Sequence, residues 1–340
     1  MMQRFPNPCE ERILTGLMDS IVWFGCTLMA ILMWSSTSLL YKASICKNRE
    51  KHTCLKYSVS VGLVFFVIAV IYLAVRDEPF TIWESAARYW PVTVFGFVYA
   101  IVNTISFNGY IHNEITVQSP VEGIGGGTST VLLILTYLLF GRLDSVSSLL
   151  TPLRTAGILL ILVSIISLSI IRNAEGESRG DGDPPKERWK RRGLGTLIFP
   201  VMFAVIDGLE TIVTGLCLDT TYGYAMPEGD AIIIIGMEYA VFAFACWCYI
   251  YSREKKPYNP FRRENAPRML GVLADNIGIV FYSYAMAINS VSTDPLLAVY
   301  PVLVMIGGRV LMKEKVSTSQ YICLLSIIAG SIMVIADTIG

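Results

Sequence analysis

Runs of about twenty apolar residues recur along this 340-residue chain. Each is as long as an α-helix must be to cross a hydrocarbon core of roughly 30 Å at 1.5 Å per residue. Ten such runs are read, at 20–41, 57–75, 91–110, 117–140, 150–171, 194–217, 231–252, 268–288, 293–312 and 318–337. Hydrophobic residues make up 54% of the chain and charged residues 16%, against roughly 25% charged in soluble domains. The expected fold is therefore all-α: a polytopic membrane protein in which the lipid bilayer is the first partner. The formal net charge is zero, so nothing points to nucleic acid. The first run, Ser20 to Tyr41, is too long for a signal-peptide core and reads as a retained spanning helix.

Prolines punctuate this pattern. Pro91, Pro120, Pro152, Pro267 and Pro295 fall at or near helix starts, where a missing N–H costs least. Pro200 and Pro301 fall within spans, where a kink is expected. The longest polar stretch, Arg172 to Gly193, is charged, rich in Gly and Pro, and without apolar periodicity. It divides the chain into a first half, 1–171, a linker, 172–193, and a second half, 194–340, with five spans in each half.

Charge sets an orientation. The odd-numbered connections hold 21 of the 27 Lys and Arg residues, and the even-numbered connections with both tails hold 6. The positive-inside rule then puts the odd connections and the linker in the cytoplasm of a cell-membrane protein, with both termini outside. Five spans per half also means that homologous halves would insert with opposite orientation. Inverted repeats of this kind surround a midplane substrate site in many transporters.

The halves do resemble each other. The fourth and fifth spans read SPVEGIGGGTSTVLLILTYLLFGRLDSVSSLL and LRTAGILLILVSIISL, and the ninth and tenth read DPLLAVYPVLVMIGGRVLMKEKVSTSQYICLLSIIAGSIMVIAD. Each begins with a small or acidic residue before Pro, passes a short charged turn and a Ser, and ends in an apolar span with a small residue near its middle. Leu311 to Ser317, with Gln320 and Gly330, resemble the repeat ending of the drug/metabolite transporter superfamily, EamA type. Trp34 in LMWSSTSLLYK resembles that family's first helix. Ser35 and Lys313 stand where the family pattern has Gly, and the first-half turn Phe140 to Asp144 lacks its Glu. The resemblance implies two five-helix halves around a central cavity, alternating access, and secondary transport of a metabolite, amino acid or organic cation. No GxxxxGK[ST] loop is present, so the driving force is expected to be an ion gradient or exchange.

Carboxylates inside the spans carry the functional reading. Asp207 and Glu210 lie in the sixth span, Glu238 in the seventh and Asp275 in the eighth, with Glu122 shallower in the fourth. An ionised carboxylate at the bilayer centre costs roughly 2.5–3.5 kcal/mol on insertion scales. Each must therefore face water, find a partner or hold a proton, which suits cation binding or proton carriage. Asp207, Glu210, Thr211 and Thr214 recur at i, i+3, i+4 and i+7, so they form one polar stripe, and one wall is expected to carry all four acids of the second half. The bland alternative is that these acids only hydrogen-bond neighbouring helices.

Tyr99 and Asn103 share a face of the third span. Trp34 lies on a polar face of the first, and Tyr282 is i+7 from Asp275. Rings beside carboxylates suit an organic cation, while Trp34 equally fits an interfacial anchor. The run Gly123 to Gly127 lets helices approach closely or loosens the fourth span. Cys46, His52 and Cys54 share one connection but lack a fourth ligand, so neither a metal nor any other cofactor is expected. An intramembrane enzyme or a channel is the competing class. The only histidines, His52 and His112, lie in connections, which leaves no proteolytic constellation, and nothing resembles a selectivity filter.

Overall fold

A computed structural model of the chain describes residues 8–47, 50–76, 81–112, 151–178, 194–218, 224–297, 299–313 and 317–339, with eight isolated positions between 115 and 139. Ten helices are continuous: α1 (Pro8–Lys47), α2 (Thr53–Val75), α3 (Ile82–Arg88), α4 (Trp90–His112), α5 (Pro152–Ser178), α6 (Leu194–Leu218), α7 (Glu228–Glu254), α8 (Ala266–Leu297), α9 (Tyr300–Met312) and α10 (Thr318–Ile339). Six are long and apolar enough to cross a membrane, and α5, α9 and α10 contain shorter apolar stretches. Ile21, Val22 and Leu28 on α1, Val67, Val70 and Ile71 on α2, and Ile322, Leu325 and Ile332 on α10 are exposed. Apolar belts of this extent belong against lipid tails. The protein is a multi-pass, all-helical membrane protein.

The helices differ from the sequence expectation at several boundaries. The first begins at Pro8 rather than Ser20, with Pro at its start and Glu10 and Glu11 in the first turn, where the helix dipole favours acids. Helix α5 runs on through Arg172 to Ser178, seven residues into the expected linker. A short helix, α3, fills the connection before α4. The eighth span ends where expected: Asn289 is non-helical, and a short second segment of α8 follows it to Leu297. Asn289 caps that segment, its Oδ1 accepting the Ser292 N–H at 3.1 Å, and Thr293 Oγ1 donates to the Asn289 carbonyl at 2.6 Å. The ninth span, expected from 293, begins instead with α9 at Tyr300, so Pro301 sits in its first turn rather than kinking a span. The Gly123 to Gly127 run and residues 179–193 lie outside the described residues.

Helices of the first half pack lengthwise on helices of the second: α1 on α8, α2 on α7, α4 on α6 and α5 on α10. Glycines set two of these crossings. A Cβ on Gly62 of α2 would collide with the Tyr239 carbonyl and Ala243 of α7, and one on Gly236 of α7 would meet the Phe65 carbonyl and Ala69 of α2. Likewise Gly157 of α5 and Gly330 of α10 each lie with the other's carbonyl oxygen 2.7 Å from where a Cβ would stand. Small residues permit such backbone approach, and dispersion then holds the pair in a solvent without a hydrophobic drive.

Ion pairs clamp both ends of the α2–α7 pair. Lys56 near the start of α2 bonds Glu254 at the end of α7 at 3.0 Å and Glu50 at 3.2 Å. At the opposite end Asp230, early in α7, pairs with Arg76 just past α2. Arg268 reaches Glu50 at 3.9 Å and donates to the Tyr258 hydroxyl at 3.0 Å. The connection between α1 and α2 thus meets the connection between α7 and α8 at one end of the bundle.

Candidate functional site

A central chamber runs between the two sets of helices. It offers about 140 Å³ to the centres of water molecules, room for on the order of ten waters. Helices α1, α2 and α4 contribute lining from one half, and α6, α7, α8 and α9 from the other.

The polar stripe of α6 faces this space. Asp207, Glu210, Thr211 and Thr214 all line it, as their spacing on one helical face requires. Thr214 Oγ1 donates to Glu210 Oε1 at 2.6 Å. Asp275 enters from α8, and neither Asp207 nor Asp275 is fully buried. Asn103 and Tyr99 line the chamber from α4, as the shared face predicts.

Trp34 lines the chamber too. A Cβ on Gly278 of α8 would lie 2.7 Å from the indole, so this glycine leaves the space the ring occupies. One turn further along α8, Tyr282 stacks obliquely on Trp34, with centroids 5.3 Å apart, and its hydroxyl donates to Thr211 Oγ1 at 3.3 Å. Across the chamber Tyr99 and Phe203 form a second tilted ring pair at 5.7 Å.

Glu122 also lines the chamber, but both its oxygens are engaged. Tyr110 donates to Oε2 at 2.6 Å and Gln118 to Oε1 at 2.8 Å. This is the bonding of a structural acid. Glu238 departs from expectation: it is 7% exposed, lies behind the wall against Gly96, and does not line the chamber. Its two carboxyl oxygens are buried beside the Thr93 hydroxyl of α4. One wall therefore carries three of the four expected acids.

Sequence reasoning missed much of the aromatic lining, including Tyr57, Phe107, Phe203, Tyr239 and Tyr300. Tyr239 had a legible signal, since Gly236-x-x-Tyr239-x-x-x-Ala243 matches Gly62-x-x-Phe65-x-x-x-Ala69. Tyr300, at a helix start, carried none. Near the α1–α2 connection the chamber ends on a packed cluster of Tyr41, Tyr57, Phe107 and Tyr110, with ring centroids 4.1 to 6.2 Å apart. The Lys56, Glu50, Glu254 and Arg268 network lies beyond it. Cys46, His52 and Cys54 are not gathered: Cys46 is exposed, His52 packs on Tyr249, and Cys54 turns inward to Asn108.

No protein-family model matches the chain, and no curated protein matches it. Among solved structures, one crystal structure of a protein aligns over 93% of this chain and 95% of its own, with a TM-score of 0.57 and 17% sequence identity. At that identity the likeness is one of fold alone: the two chains share a helical arrangement over nearly their whole lengths.

Proposed function

We propose that this chain is a secondary active transporter that moves a small solute across the cell membrane by alternating access. The solute class is a metabolite, amino acid or organic cation, with proton coupling or exchange as the driving force. One observation carries the reading: a chamber of about 140 Å³, lined by Asp207, Glu210 and Asp275, lies between helices of both halves. Acids at this depth are tolerated where they face water, and water at this depth implies a route for a solute.

Two inverted five-span repeats, ten spans in all, account for the helix pairing. The contacts of Gly62 with Tyr239 and Ala243, and of Gly236 with Phe65 and Ala69, are the same contact with the partners exchanged, at a constant offset of 174 residues. Gly157 and Gly330 repeat this reciprocity at an offset of 173. Each pair is antiparallel. Exchanging two antiparallel helices requires a two-fold axis perpendicular to them, and for spanning helices such an axis lies in the membrane plane. The α1–α8 and α4–α6 pairs also exchange under it. This geometry supports the resemblance to EamA-type drug/metabolite transporters. So does Lys313, which has φ of 60° where the family pattern has Gly.

In this reading the charged odd connections face the cytoplasm, and the ring cluster closes the chamber on that side. Transport by purified protein in vesicles tests the whole. Asp207→Asn and Glu210→Gln are each expected to lower solute flux at least tenfold while the protein keeps its elution profile and thermal midpoint. Wild-type flux in both variants would remove these acids from the site.

A further inference from the structure

We infer that the solute is an organic cation: an aromatic amine that carries no carboxylate of its own. This rests on the transporter reading of the chamber and narrows its substrate class. Three features of the lining select it.

The first is sign. Asp207 and Glu210 approach from α6 and Asp275 from α8, while no Lys, Arg or His lines the chamber among the described residues. The Lys42 ammonium is turned to the Tyr110 carbonyl at 2.7 Å, at the closed end. An amino acid or carboxylate solute would bring its own negative charge against these acids, in a low-dielectric space without a counter-charge. An ammonium meets its counter-charge there instead.

The second is availability. The oxygens of Glu122 are engaged by Tyr110 and Gln118. Asp275 is different: it makes no hydrogen bond or ion pair among the described residues, it is partly accessible, and it lies about 14 Å along α8 from Ala266. An ammonium donor there gives that acid a partner.

The third is shape. The Trp34–Tyr282 pair stands on the α1–α8 crossing and the Tyr99–Phe203 pair on the α4–α6 crossing. All four rings line the chamber. An aromatic body packs against such rings while its charged end reaches the carboxyls, and the rings themselves attract a cation.

The test uses the full chain, purified in detergent, and four probes that share a scaffold: phenethylamine, phenylalanine, phenylacetate and butylamine. Calorimetry and thermal shift should show phenethylamine binding at least tenfold more tightly than phenylalanine or phenylacetate. Butylamine should bind several-fold more weakly than phenethylamine, and Trp34→Ala should close most of that gap. Asp275→Asn should weaken phenethylamine at least tenfold with the unliganded thermal midpoint kept. Should that variant not fold, Asp207→Asn takes its place. The inference is overturned if phenylalanine or phenylacetate binds as well as the amine, if magnesium ion alone stabilises the protein as much, if neither amine binds at 10 mM, or if the Asn variant binds like wild type. Failure here is separable from failure of transport. Binding of the amine without counterflow in vesicles leaves the substrate class standing and removes the transporter. Counterflow of phenylalanine does the reverse.

Discussion

An acid held at lipid depth survives by meeting water, a partner or a proton. Asp207 and Asp275 reach the chamber. Glu122 is bonded by Tyr110 and Gln118. Glu238 is buried away from the chamber, against Gly96 and the Thr93 hydroxyl of α4, and in the proposed proton coupling it is the acid that carries the proton. Glu238→Gln should therefore fold with an unchanged or higher thermal midpoint and exchange solute at the wild-type rate. It should lose accumulation driven by an imposed proton gradient. Intact accumulation in that variant would make Glu238 a bystander. The sequence marked all these acids by their depth alone. It could not separate Glu238 from the rest, because α7, unlike α6, is apolar on every side around its acid and offers no polar stripe from which to read its rotation. Tyr239 and Ile235, four residues apart, face the chamber. Glu238 is one residue, about 100°, away from Tyr239 and meets Gly96 of α4 instead.

Among the elements, the crossing of α5 with α10 gives the sharpest stability test. A Cβ at Gly157 or Gly330 meets a backbone carbonyl that cannot rotate aside. Gly157→Ala and Gly330→Ala should each cost about 1–3 kcal/mol, and the double variant should cost less than their sum, because one separation of the helices relieves both. Gly25 is the control. Nothing lies within 4 Å of its absent Cβ, so Gly25→Ala should be neutral or stabilise by up to about 1 kcal/mol. Thermal unfolding in one detergent compares all four. Hydropathy made the six spanning helices legible, and the small residues near the middle of the fifth and tenth spans were legible as well. The start of the ninth span was not. The sequence expectation begins it at Thr293, yet Thr293 and Ser292 belong to a short segment capped by Asn289 that ends at Leu297, before α9.

At the scale of the molecule, orientation is open to direct measurement. With the native cysteines replaced, Lys256→Cys lies between α7 and α8 and Tyr224→Cys lies between α6 and α7, both at exposed positions. In right-side-out vesicles an impermeant maleimide should label the second and spare the first. The opposite pattern would invert the charge-based topology. The two ends of the bundle also differ in what stoppers them. In the proposed inverted repeat, the offset of 174 residues carries Tyr41, Tyr57, Phe107 and Tyr110 onto Gly215, Ala231, Phe281 and Tyr284, so two of the four bulky rings have no twin. A vessel corked heavily at one mouth and lightly at the other has a preferred resting posture. Prising the ringed mouth apart wets four packed aromatic faces, while shutting the other brings together two rings, a glycine and an alanine. Under the transporter reading, the empty protein should accordingly wait with its light mouth ajar, ready to load from the side opposite the basic loops.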